Sequence, residues 1–156
     1  MQKITPFLWF NDQAEEAANF YVSVFERSKV SRVTRYGEAG PGPKGTVMTV
    51  QFELDGQPFT ALNGGPHFTF TPAVSFVVSC DGQQEIDRLW QKLGEGGDPA
   101  AQQCGWLKDR FGLSWQIVPS NIAALTSGPH SANVVKALMS MKKLDIAALT
   151  RASEGK

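Results

Sequence analysis

Apolar and polar positions in the first part of the chain follow the periods of one strand, one helix and three further strands. Residues 4–10 are rich in strand-forming side chains and predict a buried strand. The next segment predicts a helix, because its apolar residues recur at helical spacing: Ala14, Ala17, Ala18, Tyr21, Val22 and Phe25. Asp12 and Glu15 predict a capping box at the start of this helix. Residues 30–36 predict a second strand, and residues 46–54 and 57–63 predict a hairpin around the Asp55-Gly56 turn.

The same order of elements recurs in the second part of the chain. Residues 73–79 predict a strand, and Asp81 is expected to cap a helix that ends at the glycine-rich segment 94–97. The apolar positions of this helix are Ile86, Leu89, Trp90 and Leu93. Residues 102–108 and 113–118 predict two more strands. Each half therefore contains a strand, a helix and two or three strands, which indicates an internal structural repeat.

The last part of the chain has a different pattern. Pro119 closes the final strand, and residues 131–141 predict a helix with Val134, Val135, Leu138 and Met141 on one side. Asp145 is expected to cap a final turn at residues 146–149. We interpret the chain as one domain, with a first module at 1–65, a second module at 66–120 and a helical appendage at 121–156. The appendage is expected to pack on the barrel or on a partner subunit.

Composition and charge narrow the classes of partner. Fifteen basic residues balance fifteen acidic residues in a chain of 156, so no global field favours nucleic acid or anionic lipid. No apolar stretch approaches the roughly 20 residues that span a bilayer. The start of the sequence does not resemble a signal peptide, and two cysteines are too few for a disulfide framework. We expect a cytoplasmic protein that binds neither nucleic acid nor membrane.

Several stretches match a known family pattern over nearly the whole chain. They are TPFLWF at 5–10, AEEA at 14–17, FY at 20–21, DGQ at 55–57, NGGP at 63–66, CGWLKD at 104–109 and GLSWQIVP at 112–119. Together they resemble the PhnB-like, 3-demethylubiquinone 3-methyltransferase-like branch of the vicinal-oxygen-chelate (glyoxalase/bleomycin-resistance/dioxygenase) superfamily. The resemblance implies an α+β fold in which two β-α-β-β-β modules form a glyoxalase-like half-barrel around a pocket, with C-terminal helices added here. It also implies a homodimer.

The resemblance supplies a test for a metal site. Metal-dependent members carry four ligands, typically His or Glu, one near the start and one near the end of each module. The corresponding positions here hold Thr5, Asn63, Ser75 and Gln116. All four are neutral, and neutral hydroxyls and amides do not offset the hydration that a divalent transition metal loses. We therefore expect no metal and no other cofactor.

The same four residues are candidates for binding a neutral polar ligand. Because side chains alternate across a strand, we expect Ser75 and Gln116 to lie on the face away from the helix, close to Asn63. If the four residues converge on one cavity, they offer hydroxyl and amide groups that can orient the ligand. The alternative is that they end strands and satisfy backbone groups. Trp9 and Phe70 lie near the predicted pocket edges and are candidates to line its apolar part, with the core as the alternative. His67 is a candidate acid–base or ligand group, with a solvated loop residue as the alternative.

Other conspicuous residues are expected to have structural roles. Asp109 is expected to bind turn amides, and both cysteines to act as small hydrophobes. The loop at 37–46 is not expected to cradle phosphate, because Pro41 and Pro43 have no N–H to donate. The leading hypothesis is a metal-independent protein that binds or isomerises a small, mostly apolar molecule. The alternatives are a metal-dependent lyase or dioxygenase of the superfamily and a quinone-type methyltransferase.

Overall fold

The computed structural model describes residues 2–156, which form a first unit ending at Phe70 and a second unit, Thr71–Lys156. The first unit contains β1 (Phe7–Phe10), α1 (Ala14–Val24), β2 (Lys29–Arg35), β3 (Val47–Leu54) and β4 (Gln57–Asn63). Its four-stranded sheet has the order β1-β4-β3-β2, with β1 parallel to β4 and the other pairs antiparallel. This is the β-α-β-β-β module expected from the sequence.

The second unit repeats the strand–helix–strand order and adds helices. It contains β5 (Ser75–Cys80), α2 (Gln83–Gly94), β6 (Trp106–Lys108), β7 (Ser114–Pro119), α3 (Ile122–Leu125), α4 (Ser131–Met139) and α5 (Ile146–Ser153). Its sheet has the order β5-β7-β6, with β5 parallel to β7. The expected α+β fold with two small sheets and C-terminal helices is thus confirmed.

The second module has one strand fewer than the expected β-α-β-β-β pattern. The strand predicted at 102–108 is reduced to β6, and Gln103 forms only an isolated bridge with Trp106. A short 3₁₀ turn, Pro99–Ala101, precedes it, and Cys104 and Gly105 adopt positive φ values of 55° and 87°. These turn conformations interrupt the extended backbone that a longer ladder needs.

One face of α1 and one face of the first sheet form the core of the first unit. Ala14, Ala17 and Ala18 of the helix have no exposed surface, so the helix lies close to the sheet. Tyr21 stacks on Phe52 with ring centroids 6.2 Å apart, and Phe52 stacks on Phe59 at 5.3 Å. The Asp55-Gly56 turn has φ values of 49° and 82°, as a type I′ hairpin turn requires, so the predicted hairpin is confirmed.

Both predicted aspartate caps at the module helices are wrong. Helix α1 has Gln13 at its N-cap and no local side-chain cap, and the N–H of Ala14 donates instead to Asn63 Oδ1 at 2.8 Å. Helix α2 has Gly82 at its N-cap, again without a side-chain cap. A side chain that is distant in sequence has replaced the local cap of α1. The cap predicted at Asp145 is confirmed, since its Oδ1 accepts from the Ala148 N–H at 3.1 Å.

The C-terminal helices pack within the second unit. Their apolar side chains form one buried cluster with the end of β7: Val118, Leu125, Val134, Leu144, Leu149 and Ala152. Gln83 of α2 binds the segment between α4 and α5, donating to the Leu144 carbonyl at 2.9 Å and accepting from the Ile146 N–H at 2.8 Å. The homodimer stays a prediction. The apolar residues of α4 do not share one exposed face, since Val134 is fully buried and Val135 is 43% exposed. In residues 2–156 no helix has the length and apolar character to cross a membrane.

Candidate functional site

The face of the second sheet opposite α2 carries two of the predicted ligand residues. Gln116 Nε2 donates a hydrogen bond of 3.0 Å to Ser75 Oγ. Across the strands, Val77 and Trp106 both lie opposite Gln116, so the three form one row. The neighbouring row consists of Ser75, Ser114 and Lys108. We call these six residues the Ser75–Gln116 face.

Strand alternation explains why this face is free of the helix. Residues at every second position share a face of a strand, so Phe76, Val78 and Cys80 lie on the side opposite Ser75. That side packs under the helix, because Trp115 and Ile117 are buried and the thiol of Cys80 lies near Glu85 of α2. Val77, by contrast, is 57% exposed. The prediction that Ser75 and Gln116 share the face away from the helix is confirmed.

The hydrogen bond between Ser75 and Gln116 leaves most of their polar atoms available. It uses one amide hydrogen of Gln116 and one lone pair of Ser75. The other amide hydrogen, the amide oxygen and the serine hydroxyl hydrogen have no further partner within residues 2–156. With the half-buried Lys108 in the next row, the face presents several donors beside the exposed Val77 and the half-buried Trp106.

In the first unit, Asn63 lies on the face of the sheet that is covered by helix α1. It shares strand parity with the buried Phe59 and Ala61, so its side chain points to the α1 side of the sheet. Its Oδ1 accepts from the Ala14 N–H at 2.8 Å, and its Nδ2 donates to the Val47 carbonyl at 3.2 Å. The Asn63 amide is thus held by the helix start and the neighbouring strand, in agreement with the alternative that it ends a strand and satisfies backbone groups.

Thr5 does not join Asn63. It lines a shallow groove on the first sheet with residues that include Ser31, Gln51 and Thr60. Thr60 and Asn63 differ by an odd number of positions on β4, so their side chains point to opposite faces. Within the first unit, the structure therefore separates two of the four residues that the sequence placed together.

Trp9 and Phe70 mainly support local structure. The Trp9 indole N–H donates to the Gly65 carbonyl at 2.9 Å, and its ring lies so close to Gly64 that a Cβ there would be 2.3 Å away. The Trp9 ring also makes an edge contact with Phe68 at 4.9 Å. Phe70 makes an edge contact with Phe10 at 5.2 Å. Trp9 thereby holds the segment that leads to His67.

His67 lies on a cavity of about 560 Å³ in the first unit, which we call the Asp12–His67 cavity. Besides His67, the lining includes Asn63 and two carboxylates at the start of α1, Asp12 and Glu15. The remaining lining residues are Asn11, Tyr36, Pro41, Gly42, Pro43, Thr46, Val47, Gly64, Gly65 and Pro66. The sequence analysis did not group Asp12 and Glu15 with His67. Two separate signals were available: an acidic pair spaced i, i+3 at the start of α1 and a Gly-Gly-Pro-His segment after β4.

The residues at the family's metal positions do not fit a metal ion. Ser75 and Gln116 bind each other, and the side chain of Asn63 is engaged by two backbone groups. Their donor atoms are neutral oxygens and nitrogens, which bind divalent transition metals poorly. Within residues 2–156 there is no group of three His, Cys, Asp or Glu side chains that could hold a metal ion.

Two further predicted roles, those of Asp109 and Cys80, have clear counterparts in the structure, whereas Cys104 is less buried than expected. Asp109 is 2% exposed and accepts from the N–H groups of Phe111 and Leu113 and from the Trp115 indole, so its structural role is confirmed. Burial raises the pKa of the Cys80 thiol to about 12, with a contribution from Glu85. That thiol is consequently protonated and unreactive at neutral pH. Cys104 is half-buried.

Comparison with known proteins identifies similarity over the two modules. The family model of 3-demethylubiquinone-9 3-methyltransferase matches residues 2–118. A PhnB protein from Bacillus cereus is 43% identical, with a TM-score of 0.66 over 75% of this chain and 99% of that chain. Protein PA1353 from Pseudomonas aeruginosa is 23% identical, with a TM-score of 0.61 over 76% of this chain and 98% of its own.

A more distant solved structure is also similar to this chain. A glyoxylase/bleomycin resistance protein/dioxygenase domain from Frankia sp. EAN1pec is 13% identical, with a TM-score of 0.48 over 76% of this chain and 93% of that chain. No match to this chain was found among curated proteins. The family match ends inside β7, so helices α3 to α5 lie beyond it.

Proposed function

This chain belongs to the 3-demethylubiquinone-9 3-methyltransferase family, and we propose that it is a metal-independent protein that binds a small, mostly apolar carbonyl compound. The ligand lies on the Ser75–Gln116 face. The observation that carries the proposal is the hydrogen-bonded Ser75 and Gln116 pair beside the exposed Val77. Small-molecule sites combine apolar surface with a few convergent polar groups, and this face has both.

The polar groups of the face determine the ligand class. Ser75 supplies a hydroxyl hydrogen, Gln116 an amide hydrogen and Lys108 an ammonium group, and all three are donors. A carbonyl oxygen accepts such hydrogen bonds, while the apolar remainder of the ligand contacts Val77 and Trp106. The two rows contain neither carboxylate nor imidazole, so binding is supported better than a proton-transfer reaction.

The test uses menadione, an uncharged quinone, as the probe in ligand-observed NMR titrations. Gln116→Ala and Ser75→Ala are each expected to weaken binding about three- to tenfold, the effect of one lost hydrogen bond. Ser79→Ala is the matched control, because Ser79 is an exposed serine on the same strand and face. No saturable binding of menadione, or an equal loss in Ser79→Ala, contradicts the proposal.

The two alternatives are distinguished by separate probes. The methyltransferase named by the family predicts binding of S-adenosylmethionine and methyl transfer to a quinol. A metal-dependent lyase or dioxygenase predicts tight binding of zinc, nickel or manganese that is lost when Ser75 or Gln116 is replaced. Neither Asn11-Asp12-Gln13 after β1 nor Asp81-Gly82 after β5 forms the glycine-rich turn that nucleotide-type donors usually require. Methyl transfer to a quinol, or tight metal binding that depends on Ser75 and Gln116, would contradict the proposed metal-independent binding function.

A further inference from the structure

One row of the Ser75–Gln116 face consists of polar side chains from all three strands of the second sheet. Ser75 lies on β5, Ser114 on the central strand β7 and Lys108 on β6, and Ser114 is the cross-strand neighbour of both others. Neighbouring strands are about 4.8 Å apart, so one compact group on a ligand can contact more than one of these side chains. We call these three residues the Ser75–Lys108 row.

Ser114 has an unusual environment in this row. It is only 2% exposed, yet its hydroxyl forms no hydrogen bond within residues 2–156. No fully buried side-chain oxygen or nitrogen in this part of the chain lacks a partner, so the small exposed surface of Ser114 includes its hydroxyl oxygen. A nearly buried hydroxyl without a partner costs free energy. Because Ser114 shares its strand face with Gln116, a partner for this hydroxyl comes from the open side of the sheet.

Lys108 adds a positive charge that is not paired within residues 2–156. Its side chain is half-buried, and its ammonium group has no hydrogen-bond or ion-pair partner in this range. The carboxylate of Asp109, the next residue, accepts from the N–H groups of Phe111 and Leu113 and from the Trp115 indole. That carboxylate is therefore engaged with the helix-covered side of the sheet. The six residues of the Ser75–Gln116 face include no aspartate or glutamate.

The backbone around the row is held in place before a ligand binds. The Lys108 carbonyl lies against Gly97, where a Cβ would be 2.0 Å from the carbonyl oxygen. Two hydrogen bonds of 2.9 Å close the turn between β6 and β7, from the Asp109 N–H to the Leu113 carbonyl and from the Gly112 N–H to the Asp109 carbonyl. A site on a fixed backbone loses less conformational freedom when it binds a ligand.

The donors of the row favour an anion with a single negative charge. Both hydroxyls and the ammonium group can donate, and the six residues of the face include one lysine and no arginine. One ammonium group balances a carboxylate but leaves a doubly charged phosphate undercompensated. The planar fork with which arginine binds phosphate is absent from the face. A carboxylate therefore fits the row better than a phosphate monoester does.

We propose that the ligand of the Ser75–Gln116 face is an oxo acid, a compound that has both a ketone carbonyl and a carboxylate. The carboxylate pairs with Lys108 and accepts the Ser114 hydroxyl, while the carbonyl accepts from Gln116 in the neighbouring row. Neighbouring rows are about 6.6 Å apart, because each residue of a strand rises roughly 3.3 Å, so a short carbon chain separates the two groups. This inference rests on the proposed function, since it extends the carbonyl site by one row.

The first experiment compares 4-oxo-4-phenylbutanoate with its primary amide, 4-oxo-4-phenylbutanamide. The two probes have the same ring, ketone and length, and they differ in the charge at one end. In titrations followed by the amide resonances of β6 and β7, the acid is expected to bind about three- to tenfold more tightly than the amide, the effect of one ionic contact to a half-buried lysine. High salt is expected to reduce this ratio, because it screens partly exposed charges. Equal affinities of the acid and the amide overturn the proposal.

The second experiment removes the charge and the hydroxyl of the row separately. Lys108→Gln is expected to bring the ratio of the two affinities close to one, and Ser114→Ala is expected to weaken binding of the acid about two- to fivefold. Lys92→Gln is the matched control, because Lys92 is an exposed lysine of α2, the helix that covers the other side of the sheet. An equal fall of the ratio in Lys92→Gln shows that the general field of the second unit attracts the acid, and it contradicts the row as the site.

Thermal unfolding without ligand distinguishes binding from a structural role of Ser114. Its hydroxyl has no partner within residues 2–156, so Ser114→Ala is expected to leave the Tm of the ligand-free protein unchanged. A lower Tm together with unchanged binding of the acid contradicts the role proposed for this hydroxyl.

The menadione titrations separate this proposal from the proposed function. Menadione has carbonyl groups but no carboxylate, so it tests the carbonyl site alone. Saturable binding of menadione that depends on Gln116, together with equal affinities of the acid and the amide, retains the carbonyl site and overturns the carboxylate row. Failure of menadione, the acid and the amide to bind contradicts both proposals.

Discussion

Asn63 in the first unit and Gln116 in the second are both carboxamides on strands, Asn63 at the end of β4 and Gln116 within β7, and the resemblance assigned both to ligand positions. In the first unit the amide points to the helix side and binds Ala14 and Val47. In the second unit the amide points away from the helix and binds Ser75, which itself lies on the exposed face.

The difference between the two amides follows from strand parity. A shift of one residue along a strand moves a side chain to the other face of the sheet. Asn63 has the parity of the buried Phe59 and Ala61, whereas Gln116 has the parity opposite to the buried Trp115 and Ile117. The first unit therefore uses its amide to hold the fold together, and the second unit leaves most polar atoms of its amide without a partner in residues 2–156.

The C-terminal helices provide the largest test of this comparison, because only the second unit has them. Leu144 is fully buried, and its side chain lies against Gly105, where a Cβ would be 3.1 Å away. Leu144→Ala is expected to reduce the free energy of unfolding by about 2–5 kcal/mol, measured by urea denaturation. Val135→Ala, on the exposed side of α4, is expected to change it by less than about 0.5 kcal/mol. A small effect of Leu144→Ala would show that these helices are a detachable appendage.

The two amides themselves supply the next prediction. Asn63→Ala removes the partners of the Ala14 N–H and the Val47 carbonyl, so the free energy of unfolding is expected to fall by about 2–3 kcal/mol. Gln116→Ala removes one bond to a half-buried serine and is expected to cost less than about 0.5 kcal/mol. Chemical denaturation of the two variants under the same conditions measures both. Equal losses would contradict the division between a structural and a ligand-binding amide.

Substitution of Gly64 tests how tightly the Trp9 ring is packed at the wall of the Asp12–His67 cavity. A Cβ at this position would be 2.3 Å from the indole of Trp9, which is itself fixed by its hydrogen bond to Gly65. Gly64→Ala is expected to cost about 1–3 kcal/mol, as overpacking usually does, and to shift the Trp9 indole N–H resonance. Gly37→Ala is the control, because a Cβ there meets no atom within 4 Å. An unchanged indole resonance in Gly64→Ala would show that the ring is free to move.

Strand alternation was sufficient to predict the Ser75–Gln116 face but not the side of Asn63. In the second unit the bulky and the small or polar residues alternate clearly along both strands, so parity is visible in the sequence. In β4 both parities contain apolar residues, since Pro58 and Leu62 alternate with Phe59 and Ala61. The sequence therefore predicted the strand and left its orientation open.

Long-range polar contacts explain the other differences. The helix start at Ala14 is capped by Asn63, 49 positions away, so the local Asp12 and Glu15 signal predicted a cap that does not form. Gln83 joins α2 to Leu144 and Ile146, 61 and 63 positions away. Local propensity contains no information on such partners. The same limit applies to the Asp12–His67 cavity, whose ionisable residues come from segments about fifty positions apart.

The smallest expected effect concerns the charged residues of the two module helices. Asp12 and Glu15 at the start of α1 have no partner within residues 2–156, whereas Asp87 of α2 accepts from Lys143 at 2.9 Å. The pKa of Asp87 is lowered by its hydrogen bond to Lys143 first and by that to Gln83 second. A carboxyl with a lowered pKa in the folded state stabilises the protein above its unfolded pKa, and this contribution is lost as pH falls through the folded pKa. Lys143→Gln is thus expected to lower the Tm slightly at neutral pH, while at a pH below the folded pKa of Asp87 it is expected to leave the Tm unchanged.

Salt provides the control for this last effect. Both side chains are about half exposed, so high salt is expected to reduce the Tm difference between Lys143→Gln and the wild type at neutral pH. Lys142→Gln, an exposed neighbour, is expected to have no such pH-dependent effect. A Tm difference for Lys143→Gln that persists unchanged at low pH and in high salt would mean that Lys143 acts by packing its stem and not through Asp87. The docking of the C-terminal segment on α2 would then depend on Gln83 and the apolar cluster alone.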